Sequence, residues 1–119
     1  FYFSDLGKTR PRDRDWGGLY YAKADGSSIV EVGYRLNTPN GVGLSPDGKT
    51  VYVAETPTAR LWAFDLEAPG VAKRHPGQPH GGRFVCGLGG FQRFDSLKVD
   101  AAGNICVATL VSGCVTVTR

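Results

Sequence analysis

The chain has 119 residues, a formal net charge of +3, and 41% hydrophobic against 21% charged residues, the balance of a globular rather than a disordered protein. No apolar run approaches the roughly 18 residues of a membrane helix. The small positive charge, without a clustered basic face, argues against nucleic acid as a partner. Seventeen glycines and seven prolines signal many tight turns, so an all-β chain is expected.

The chain opens on "FYFSD" (1–5), an apolar strand-like run with no leader and no methionine, and reads as a piece of a longer protein. "GKTRPRDRD" (7–15) follows, in which Lys8, Arg10, Arg12 and Arg14 alternate with Asp13 and Asp15. A solvated loop with internal ion pairs is one reading; a loop whose Arg10 and Arg12 contact an anionic or hydroxylated ligand is another. "GGLYYAKADGSS" is then a strand ending in an Asp-Gly turn, and "IVEVG" a further strand.

The next stretch, "PNGVGLSPDGKTVYVAE" (39–55), is a hairpin closed by Asp47-Gly48. It returns in altered form as "FDSLKVDAAGNICVAT" (94–109), which places Asn40 over Asp95, Leu44 over Val99 and Val51 over Ile105, about 55 residues apart. "VYVAE" also matches "FYFSD", so the chain begins inside an earlier copy. Between the copies lie a third strand, "RLWAFDLEAPG", and a fourth, "GRFVCG". Four strands per copy at this spacing describe β-propeller blades, with a β-sandwich of hairpins as the alternative. The expected units are the end of one blade (1–38), one whole blade (39–93) and the first half of the next (94–119). Such a piece leaves sheet edges open, and it is not expected to fold or act alone.

His75 and His80, in the Pro/Gly-rich "KRHPGQPHGGRF", read as a flexible surface loop rather than a metal site. Cys86, Cys106 and Cys114 are odd in number and form no CxxC pair, so buried free thiols are expected. Cysteine usage leans toward a reducing, cytoplasmic location, with the periplasm as the alternative if a leader precedes Phe1.

In a propeller blade, Asn40 and Asp95 each precede the innermost strand and face the central channel at one rim, over which the arginine-rich loop also lies. Read singly, each is an ordinary turn or capping residue. Asp5 and Glu55 occupy matching strand ends, either as rim contacts for a substrate or as ion-pair partners of the arginine-rich loop.

"PNGVGLSPDGKTVYVAET", "FDSLKVDAAGNICVAT" and "FYFSDLG" together resemble the senescence marker protein/gluconolactonase family, over essentially the whole chain. The resemblance implies a six-bladed β-propeller. It also implies a divalent cation, calcium, magnesium, manganese or zinc, held in the channel by a glutamate, an asparagine and an aspartate. The asparagine falls on Asn40 and the aspartate on Asp95; the glutamate belongs to a blade before Phe1. The family's Pro-Asp-Gly is Phe94-Asp95-Ser96 here, a departure that keeps the carboxylate. Metal-dependent hydrolysis of sugar lactones follows, with Asp95 both ligand and proton acceptor. Asp5, Arg10, Arg12 and Glu55 are candidate substrate contacts. The alternative is a noncatalytic propeller that binds calcium or a partner through the same rim.

Overall fold

The computed structural model describes residues 1–119 as β-strands, turns and loops, with no helix, and so with none long and apolar enough to cross a membrane. The first sheet holds β1 (Tyr2–Asp5), β2 (Gly17–Ala22) and β3 (Ile29–Leu36) in that order. The second holds β4 (Pro39–Leu44), β5 (Thr50–Glu55) and β6 (Arg60–Ala68); the two-residue β7 (Val71–Ala72) folds back on the far end of β6, and β8 (Arg83–Gly87) pairs with its near end. The third holds β9 (Phe94–Val99), β10 (Ile105–Thr109) and β11 (Cys114–Thr118), one strand more than half a blade. All pairings are antiparallel between sequence neighbours, apart from the closing β6–β8 pair.

The β4–β5 turn is held by its own side chains. The Ser45 hydroxyl accepts the Thr50 amide, the Asp47 carboxylate accepts the Lys49 amide, and Gly48 supplies φ +71. In the β9–β10 turn, Asp100 accepts the amides of Ala102 and Asn104, and Gly103 takes φ +85. The Ser45 hydroxyl, which donates to Asp47, and then the Lys49 amide hold the Asp47 carboxyl below its ordinary range; the Asn104 side-chain amide and then its backbone amide do the same for Asp100.

The middle sheet is buried on both faces, as shown by four consecutive core residues, Leu61, Trp62, Ala63 and Phe64. Because successive side chains of a strand point to opposite sides, its residues divide between two cores. Val51, Val53, Trp62 and Phe64 pack with Leu19 and Leu36 of the first sheet. Ala54 and Leu61 pack with Phe94, Leu97, Ile105 and Val107 of the third. Sheets stacked face to face in series, each buried between its neighbours, are consecutive blades of a β-propeller.

The expected burial of the thiols does not hold. Cys86 and Cys106 are half-buried and Cys114 is exposed, all three free. Ile105 and Val107 take the core side of β10, which turns Cys106 to the opposite face, while Cys114 starts the edge strand β11.

Candidate metal centre

The inner strands of the two complete hairpins carry the same irregularity. In β4, Pro39 pairs with Glu55 and Val42 with Val53; in β9, Phe94 pairs with Thr109 and Leu97 with Val107. Each inner strand therefore advances three residues while its partner advances two, a β-bulge at Asn40–Gly41 and another at Asp95–Ser96. A bulge turns side chains out of the regular alternation, and here it does so at the same level in neighbouring blades.

Glycine lets the two bulges meet. A Cβ on Gly41 would lie 2.5 Å from the Asp95 carbonyl oxygen and 2.6 Å from the Leu97 amide nitrogen, so the β4 and β9 backbones approach as only glycine permits. From the first sheet, the Ser4 hydroxyl donates to the Asn40 carbonyl at 2.7 Å and pins the β4 bulge. Asn40 and Asp95 thus lie side by side at the end of the sheets where β1, β5 and β10 finish.

Both side chains are half-buried, and no hydrogen bond or ion pair within the chain engages the Asn40 amide or the Asp95 carboxylate. An amide oxygen and a carboxylate are the hard donors that calcium, magnesium or manganese prefer, so the pair fits a divalent cation. They are only part of a ligand set, for no three His, Cys, Asp or Glu side chains anywhere in the chain come together as a metal site.

The family profile described as SMP-30/Gluconolactonase/LRE-like region matches residues 1–119. The chain belongs to this family. The lactonase drp35 of Staphylococcus haemolyticus is 34% identical over 115 residues, which are 95% of this chain and 33% of that protein. The lactonase drp35 of Staphylococcus aureus is 33% identical over the same shares. Among solved structures, a calcium-binding regucalcin from Agrobacterium tumefaciens superposes with a TM-score of 0.69 at 27% identity, over 87% of this chain and 33% of its own. A gluconolactonase from Xanthomonas campestris gives 0.64 at 25% identity, over 98% and 41%. The chain spans about a third of the length of the curated relatives it matches.

Of the remaining candidates, Asp5 and Glu55 close β1 and β5 at the same end as Asn40 and Asp95, but their carboxylates are engaged within the chain, as is Arg10. Asp5 is exposed, and its carboxylate accepts the Gly7 amide at 3.0 Å. Arg10 grips Asp15 through both terminal nitrogens at 2.8 Å and reaches Asp13 at 3.3 Å. Asp15 in turn holds the Arg10 guanidinium above its ordinary pKa. Arg12 is exposed in the same loop and forms no ion pair. Glu55 is 4% exposed, with one oxygen accepting the Asn37 amide at 2.6 Å and the other the Thr58 hydroxyl at 2.7 Å. That is a post bracing the rim loops. Glu55→Ala, which strands a buried amide, is expected to cost about 1–3 kcal/mol, read as a lower urea midpoint.

The histidine segment is not the flexible loop expected from its prolines and glycines. His75 Nε2 meets Asp65 at 2.8 Å, and Arg83 meets the same carboxylate at 3.1 Å. Arg83, then His75 and Thr50, keep the Asp65 carboxyl below the usual range. His80 is 3% exposed, with its ring 4.6 Å from Trp62 and 5.9 Å from Phe64, and Nδ1 accepting the Gly82 amide. Burial lowers its pKa, so the native state disfavours a proton that the unfolded chain takes up as pH falls through about 6.5. Stability from the neutral ring is therefore complete above that pH and lost below it. The unfolding midpoint is expected to drop between pH 7.5 and 5, and to drop less in His80→Asn, whose amide oxygen can replace Nδ1 as acceptor.

Proposed function

We propose that the whole protein is a metal-dependent hydrolase of sugar lactones, with Asn40 and Asp95 as two of the cation's ligands and Asp95 as the catalytic carboxylate. Family membership and the likeness to lactonases support the reaction class. One observation carries the residue assignment: matched bulges set an unengaged amide and an unengaged carboxylate beside each other.

A divalent cation bound there would polarise the lactone carbonyl and acidify a bound water. Asn40 would contribute a neutral oxygen, which subtracts nothing from the cation's charge. Asp95 would take a proton from the attacking water as its oxygen bonds to the carbonyl carbon. The ring C–O bond then breaks, and the proton passes to the departing ring oxygen, leaving a hydroxycarboxylic acid that ionises to the carboxylate by releasing the water's second proton to solvent. Arg12, whose guanidinium is without an ion-pair partner, is the stronger candidate of the two arginines for substrate hydroxyls.

The test is hydrolysis of a panel of aldonolactones by the whole protein, after chelation and after adding back single metals. Expected is loss on chelation and recovery with one of the four divalent ions; activity unaffected by chelation contradicts the reading. A second reading, a calcium-binding propeller without turnover, is favoured by the likeness to the calcium-binding regucalcin. It predicts calcium binding with no hydrolysis of any lactone in the panel.

A further inference from the structure

A cleft of about 360 Å³ opens between β3 of the first blade and the ends of β5 and β6 of the second, and neither Asn40 nor Asp95 lines it. Two of the residues that line it each hold a buried polar atom with no partner, the Trp62 indole Nε1 and the Asn37 side-chain oxygen. Trp62 is only 3% exposed, and a buried donor left unpaired is costly enough that native proteins seldom tolerate it. Two guanidinium groups, Arg35 and Arg60, also line the cleft, and neither has a carboxylate partner. The one carboxylate present, Glu55, has both oxygens occupied.

The backbone is strained around the same cleft. The non-glycine residues with positive φ are Arg35 (74°), Thr38 (50°) and Ala59 (46°). Arg35 lines the cleft, Thr38 follows Asn37, and Ala59 precedes Arg60. Arg35 is also the extra residue of a bulge, since Gly17 pairs with Leu36 and Gly18 with Tyr34. Strain of this kind persists where surrounding structure imposes it, and it concentrates at ligand sites.

These groups define a ligand. Two cations and an indole N–H call for a compact anion with acceptor oxygens, and the geometry of a planar guanidinium suits a carboxylate. The Asn37 oxygen calls for a donor, which a bare carboxylate lacks and a hydroxyl supplies. His80 lines the wall too; with Nδ1 accepting the Gly82 amide, its neutral ring carries the N–H on Nε2. We propose that this cleft binds a small hydroxycarboxylate of the sugar-acid class. Its role as a product site rests on the lactonase reading, whereas the binding itself does not.

The experiment is calorimetric titration of the whole protein with gluconate, acetate and glucose, in chelator so that the rim centre takes no part. Gluconate is expected to bind, with acetate and glucose each at least about tenfold weaker. Arg60→Gln alters an exposed residue, and Trp62→Phe keeps an aromatic ring while deleting the N–H; each should weaken gluconate about tenfold, the worth of one such hydrogen bond. No gluconate binding, acetate binding as tightly as gluconate, or gluconate affinity unchanged in both variants would overturn the proposal. Gluconate binding without lactone turnover would leave it standing and count against the lactonase reading alone.

Discussion

Substituting asparagine for Asp95 is expected to lower lactone turnover in the whole protein by about 100-fold or more, even at metal concentrations that restore occupancy. The substitution keeps an oxygen that can ligate a cation but removes both the negative charge and the proton acceptor. Asparagine is also a good residue for a bulge or turn, so a purely structural Asp95 predicts activity close to the parent's. The complementary change separates the two roles. Asn40→Asp adds charge to an existing oxygen donor, and metal binding should be retained or tightened. Steady-state rates for both variants, at saturating metal, distinguish these outcomes.

The second large effect is expected from Gly41→Ala. The added Cβ would sit 2.5 Å from one backbone atom of β9 and 2.6 Å from another, and backbone cannot swing aside as a flexible side chain can. Strands β4 and β9 must part, at a cost of about 3 kcal/mol, and the bulges carrying Asn40 and Asp95 part with them. Stability and metal affinity should fall together. Gly89→Ala is the control, since nothing lies within 4 Å of its Cβ position and its φ is not in the left-handed region. A Gly41→Ala protein with the parent's urea midpoint would mean that the two inner strands are not in contact.

The blades could be read from the sequence because the hairpin pattern is local and occurs twice. "PNGVGLSPDGKTVYVAE" and "FDSLKVDAAGNICVAT" state strand, turn and strand through alternation and an Asp-containing turn, which need no distant partner. The bulges could not be read, because an extra residue is defined only by what lies across the ladder, Glu55 and Val53 in one blade, Thr109 and Val107 in the other. The same limit applies to Glu55. Its position at a strand end was visible, but its bonds to Asn37 and Thr58 depend on how the rim loops fold over it.

His80 shows how composition misleads. Prolines and glycines on either side of it suggest mobility, yet the Phe64 ring occupies the space that a Cβ on Gly33 or Gly82 would need, and the missing side chains let the segment settle on the sheet. In "RLWAF" the exposed Arg60 is followed by four consecutive apolar residues, all buried, the mark of a strand covered on both sides. That pattern favours stacked blades over a sandwich with a solvated outer face.

The central claim is that Asn40 and Asp95 hold one cation between them, and it is tested most directly by metal binding without reference to turnover. The whole protein, Asn40→Ala and Asp95→Ala would each be stripped by chelation and titrated with calcium, magnesium, manganese and zinc by calorimetry. The account predicts that each substitution weakens the preferred ion at least about tenfold, one ligand bond being worth 1.4 kcal/mol or more, and that Asp95→Ala is the worse of the two. Unchanged affinity in both variants would contradict it.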